Sequence, residues 1–150
     1  ARNRRREGFA VIGTGCVYPL QLMLRQGRIK PSKETQWNYF QRAPQNLNQS
    51  QQRMKDAMID LYWAVIDASH AALMSINEIP PTPKHVPEYL DEKLVQKGLI
   101  KEDLPWTVRR FYDLHKRISN EEIRTISGEE YDKHYRIAKE FVEEIQDFIE

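Results

Sequence analysis

The sequence predicts an all-α chain, folded as an antiparallel up-down bundle of four to five helices. Three observations carry that expectation. Apolar residues recur at three- and four-residue steps over long stretches. The 8 prolines and 6 glycines gather at a few places rather than interrupting those stretches. No alternating apolar and polar run competes with them, so a sheet has no pattern to grow from.

Taken in chain order, residues 19–26 and 32–42 read as short helices in a region broken up by Gly27, Pro31 and Pro44. A long helix follows over residues 50–77, with Met54, Met58, Leu61, Val65, Ala68, Ala72 and Ile76 as its stripe. Its second half is small-sided through Ala64, Ala68, Ser69, Ala71 and Ala72, which lets a neighbouring helix approach closely. Pro80, Pro81 and Pro83 cannot continue it. A short helix has Pro87 in its first turn, Leu90, Leu94 and Val95 facing inward, and Gly98 as its left-handed stop. The next starts near Asp103 with Pro105 in its first turn, and Leu104, Val108, Phe111, His115 and Ile118 share one stripe. The last carries Tyr131, Tyr135, Ala138, Phe141, Val142, Ile145, Phe148 and Ile149, and Ser127 with Glu130 reads as the capping box that starts it.

Composition narrows the class. The chain has 150 residues, 40% hydrophobic and 30% charged, enough to bury a core. The single cysteine, Cys16, cannot form an internal disulfide, which points to a reducing, cytoplasmic setting. The apolar run over residues 8–24 is too short and too interrupted, by Gly13, Gly15, Pro19 and Gln21, to span a bilayer. No membrane association is therefore expected.

The net charge of +1 hides an asymmetry: residues 1–55 carry 11 Lys/Arg against 2 Asp/Glu, and residues 56–150 carry 12 against 20. The basic part suits phosphates or an acidic partner, or else docks on the acidic part of the same or a second chain. Residues 1–45 read as a basic N-terminal segment, the tail of an upstream domain, and residues 46–150 as the helical bundle. Arg4, Arg5 and Arg6 are candidate phosphate contacts, with a solvated terminus as the alternative.

The candidate chemistry lies in the fourth predicted helix. Arg110 precedes His115 by five residues, and Arg109 is an alternative arginine. A histidine can take the proton of an RNA 2′-hydroxyl, and an arginine can hold a phosphate and the charge that develops on it. On a continuous helix five residues turn through about 500°, which leaves Arg110 and His115 about 140° apart. The two converge only if the helix ends or kinks there, or if a second protomer supplies one of them. A histidine on an apolar stripe is otherwise a core or interface residue.

This arginine–histidine spacing, the alanine-rich stretch over residues 62–73, and the aromatic helix, loop, Ser-started turn and final helix over residues 111–149 resemble the HEPN family (higher eukaryotes and prokaryotes nucleotide-binding). The resemblance covers about residues 46–150. Phe111 stands where many members of the family have a polar residue, and Arg117 stands where some of its toxins have tyrosine. The resemblance implies one of two activities. One is a metal-independent, toxin-like ribonuclease, dimeric, in which Arg110 positions phosphate and His115 acts as general base or acid. The other is an accessory or substrate-binding module for nucleotide or RNA, working with a minimal nucleotidyltransferase partner or upstream domain. A purely structural dimerisation bundle is the third reading, and a homodimer accompanies the family. What surrounds His115 discriminates between them: a polar cleft fits the nuclease, and packing fits the others.

Other constellations carry less. Asp67 with His70 and Glu130 with His134 have metal-ligand spacing, but the further inward carboxylates of a dinuclear bundle are missing, so neither a metal nor a cofactor is expected. Gly13 and Gly15 lack the third glycine of a dinucleotide fingerprint. Tyr62, Trp63, Trp106 and Tyr112 could stack bases if exposed, although aromatics at helical spacing are more often core.

Overall fold

The computed structural model describes residues 17–28 and 30–150. Arg4, Arg5 and Arg6, with Gly13, Gly15 and Cys16, lie outside the described residues. Among the described residues all regular structure is helical. In order the elements are α1 (Val17–Arg25), α2 (Lys33–Phe40), α3 (Arg42–Ser75), a 3₁₀ turn (Pro83–His85), α4 (Val86–Leu90), a π-helical turn (Asp91–Val95), α5 (Leu104–Ser119) and α6 (Gly128–Ile149). No helix among them is long and apolar enough to cross a membrane. The chain divides into two compact units, residues 1–47 and 48–150.

In the first unit, Ser32 caps α2, its Oγ accepting from the Thr35 N–H at 3.1 Å. No residue of α2 is buried, and Trp37 and Phe40 stack on each other at 5.7 Å on its exposed surface. Pro44 does not break the chain as the sequence leads one to expect. It occupies the first turn of α3, where a proline removes no intrahelical hydrogen bond, and the helix accordingly begins at Arg42 rather than near residue 50.

The second unit holds the core. Along α3, Met58, Leu61, Tyr62, Val65, Ile66, Ser69, Ala72 and Leu73 are buried, a wider face than the predicted stripe. Met54, Ala68 and Ile76 lie at its edge, half-buried. Ser69 satisfies its buried hydroxyl within the helix by donating to the Val65 carbonyl at 2.7 Å. Val86, Leu90 and Leu94 from the middle segment, Leu104, Val108, Phe111 and Ile118 from α5, and Ala138, Phe141 and Ile145 from α6 complete one cluster. The outer positions of the predicted α6 stripe, Tyr135 and Ile149, are exposed.

Helix ends follow a common device. α1, α3, the 86–95 segment and α5 are each closed by a residue in the left-handed region: Gly27, Asn77, Gly98 and Glu121. At the three later ends the next amide reaches five residues back: Glu78 N–H to the Leu73 carbonyl, Leu99 to Leu94 and Glu122 to Arg117, at 2.9 to 3.0 Å. Only glycine adopts this conformation without a steric cost, so Glu121 is strained where Gly98 is not. α6 begins as predicted. Ser127 Oγ accepts from the Glu130 N–H at 3.1 Å, and the Glu130 carboxylate accepts from the Ser127 N–H at 3.3 Å.

Candidate functional site

α5 runs unbroken from Leu104 to Ser119, so Arg109, Arg110 and His115 leave one continuous helix in three directions. The structure does not bring the predicted pair together. Arg109 donates to Glu88 at 2.7 Å on the side of α4, and that hydrogen bond holds the Glu88 carboxyl below the ordinary carboxylate range. Glu88 also lies 3.8 Å from His85. The alternative arginine is therefore engaged with a surface carboxylate.

His115 lies among aromatic rings. Its imidazole stacks on buried Tyr62 with centroids 4.2 Å apart and planes 8° from parallel. Trp63 approaches edge-on at 6.5 Å, and Tyr112 is tilted at 6.2 Å. The surroundings are thus aromatic rings rather than a polar cleft. Tyr62 comes from α3, where it sits on the wider buried face. The His115 Nδ1 is buried and has no hydrogen-bond partner among the described residues. Burial, and then the Lys116 charge, push the pKa of this histidine down, which favours a neutral ring. Burial also raises the Tyr62 phenol, with Tyr112 adding to it.

Arg110 faces elsewhere. It lines a cleft of about 550 Å³ formed by α5, the loop after it and the first turns of α6, with Met58 of α3 at its floor. Arg110, Asp113, Leu114 and Arg117 reach it from α5, at the three-, four- and seven-residue steps of one helical face. Ile123, Thr125 and Ile126 come from the loop, and Glu130, Lys133 and His134 from α6. Arg117 shares its charge with Glu122 at 3.7 Å. Arg110 and Lys133 make no ion pair among the described residues.

His134, read from sequence only beside Glu130, is the histidine that shares a cleft with Arg110. Its Nδ1 lies 2.7 Å from the Glu130 carbonyl oxygen. A carbonyl can only accept, so Nδ1 carries the proton and Nε2 is the ring's free nitrogen. The ring is also held edge-on to buried Phe111, with centroids 5.9 Å apart. Arg117, Lys133 and His134 were missed as companions of Arg110. The signal for Arg117 was present, because Arg110, Asp113, Leu114 and Arg117 have the spacing of one face. The signal for the α6 residues was not, because their contact with α5 crosses a loop.

The remaining candidates are scattered. Asp67 is exposed and His70 half-buried on α3, and no group of three or more potential metal ligands occurs among the described residues. Trp63 and Trp106 are surface residues, 46% and 72% exposed, whereas Tyr62 belongs to the core. Searches of protein-family models, of curated proteins and of solved structures found no match to this chain.

Proposed function

We propose that the chain is a HEPN-like module, an antiparallel bundle that binds nucleotide or RNA and serves a minimal nucleotidyltransferase as its accessory or substrate-positioning partner. One observation carries the choice against the ribonuclease: Arg110 and His115 leave a continuous helix on different sides, and His115 is packed against Tyr62. General acid–base catalysis needs the histidine within hydrogen-bond reach of the hydroxyl whose phosphate the arginine holds. A stacked imidazole on another side of the helix does not meet that condition within one copy.

The resemblance that supports this reading also implies a homodimer, which analytical ultracentrifugation of the purified chain would read directly. The test of the activity is RNA cleavage in EDTA by the wild type beside an Arg110→Ala/His115→Ala double variant. The module reading predicts intact RNA in both reactions and measurable RNA or nucleotide binding by the wild type. Cleavage by the wild type alone would establish the nuclease, with the second copy supplying one of the two residues.

A further inference from the structure

The Arg110 cleft has the parts of a nucleotide site. Its volume of about 550 Å³ lies within the range of about 300–1,000 Å³ typical of small-molecule sites. Its apolar side, Met58, Leu114, Ile123 and Ile126, offers a surface for the face of a base. Its charged side holds Arg110, Arg117 and Lys133 against Asp113 and Glu130. Two of these five are already engaged: the Glu130 carboxylate in the cap of α6, and Arg117 with Glu122. Arg110 and Lys133 are the cations left to meet an anion, and they line one cleft from two different helices. Asp113 is the carboxylate left to accept from an exocyclic amino group. His134 Nε2, its tautomer set by the Glu130 carbonyl, adds one acceptor for a sugar hydroxyl.

We infer that this cleft is the binding site for a nucleoside phosphate, with Arg110 and Lys133 holding the phosphate, the apolar wall taking the base, and Asp113 and His134 reading the polar edge. The inference rests on the nucleotide-binding reading above and names the site and the ligand class. His115 has no part in it. Arg110 with its forked donors and Lys133 as a point charge suit a flexible phosphate chain. An amino-bearing purine such as adenine is preferred over uracil because its exocyclic amino group offers two donors to an accepting Asp113, where uracil has a single ring N–H, and because its larger ring covers more of the apolar wall.

The experiment is isothermal titration of the full chain in EDTA with ATP, UTP, adenosine and inorganic tripolyphosphate, repeated with Arg110→Gln/Lys133→Gln and with His115→Phe. Circular dichroism of each variant verifies that the helices are retained. ATP is expected to bind more tightly than UTP and tripolyphosphate, and adenosine weakly or not at all. The double variant should lose about tenfold or more in ATP affinity, as expected when hydrogen bonds to a charged group are removed, and His115→Phe should lose none. Tripolyphosphate binding equal to ATP would overturn the nucleotide assignment and leave a polyphosphate site. ATP binding that survives the double variant would overturn the cleft and leave the nucleotide-binding reading standing elsewhere on the chain. Binding of none of the probes, nor of RNA, would overturn both.

Discussion

On one side of α5 a histidine is stacked among rings with a buried, unpartnered nitrogen; on the other an arginine and a lysine with no ion pairs among the described residues line an open cleft. The two sides share α5 but meet different partners, α3 at His115 and the start of α6 at Arg110, and they differ in what they are good for. The aromatic side removes water and lowers the basicity of His115, so it contributes packing and discourages charge. The cleft keeps charges hydrated and available, so it contributes little to stability and is suited to recognition. The difference shows that spacing along a sequence does not define a site on a helix, because direction around the axis does.

The largest expected effect lies between the two sides. Phe111 is buried, packs the core and backs the His134 ring. Phe111→Ala should destabilise the chain by about 3–5 kcal/mol, read by chemical denaturation, and should disturb the cleft as well. A loss below about 1 kcal/mol would mean that α5 does not pack as described.

Next in size is Glu121, which closes α5 in the left-handed region with φ of 59°. Glu121→Gly should stabilise by about 1 kcal/mol, because a non-glycine residue bears a steric cost of roughly 1–2 kcal/mol there. A higher melting temperature would confirm it. An unchanged or lower one would place the chain end in another conformation.

The aromatic side has a pH signature. The pKa of His115 is lowered in the folded state, so the unfolded chain binds more protons there. Its contribution is complete above the ordinary histidine value of about 6.5 and is lost as pH falls through the lowered folded value. His115→Phe, which keeps a ring against Tyr62, should remove that part of the acid dependence of unfolding. An identical pH profile in the variant would contradict the packed, neutral imidazole. The smallest effect is expected at the cleft: Arg110→Ala should change stability by no more than about 0.5 kcal/mol, while weakening nucleotide binding.

Much of the architecture was legible in the sequence. The Ser127 and Glu130 box and the Gly98 stop act through near neighbours, and they were found in place, whereas the periodic stripes marked the buried faces only in part, with Tyr135 and Ile149 exposed. Where the sequence misled, a residue has two uses that differ by context. Pro44 breaks a helix interior but is accepted in a first turn, and only the course of α3 decides between these. Asn77 and Glu121 close helices in a conformation that neither residue announces as glycine does. Of the candidate site, Arg110 was legible as a residue type, but its surroundings were not. The contact of His115 with Tyr62 joins α3 to α5, and the cleft that Arg110 shares with Lys133 and His134 lies between α5 and α6. Both are products of packing between helices distant in sequence.

The most direct test of the account is the response of the histidine ring signals in nuclear magnetic resonance spectra to two single substitutions, Arg110→Ala and Trp63→Ala. With two separate sites, Arg110→Ala shifts the His134 ring signals and leaves those of His115 nearly unmoved, whereas Trp63→Ala does the reverse. A His115 response to Arg110→Ala as large as that of His134 would contradict the separation and restore Arg110 and His115 to one site.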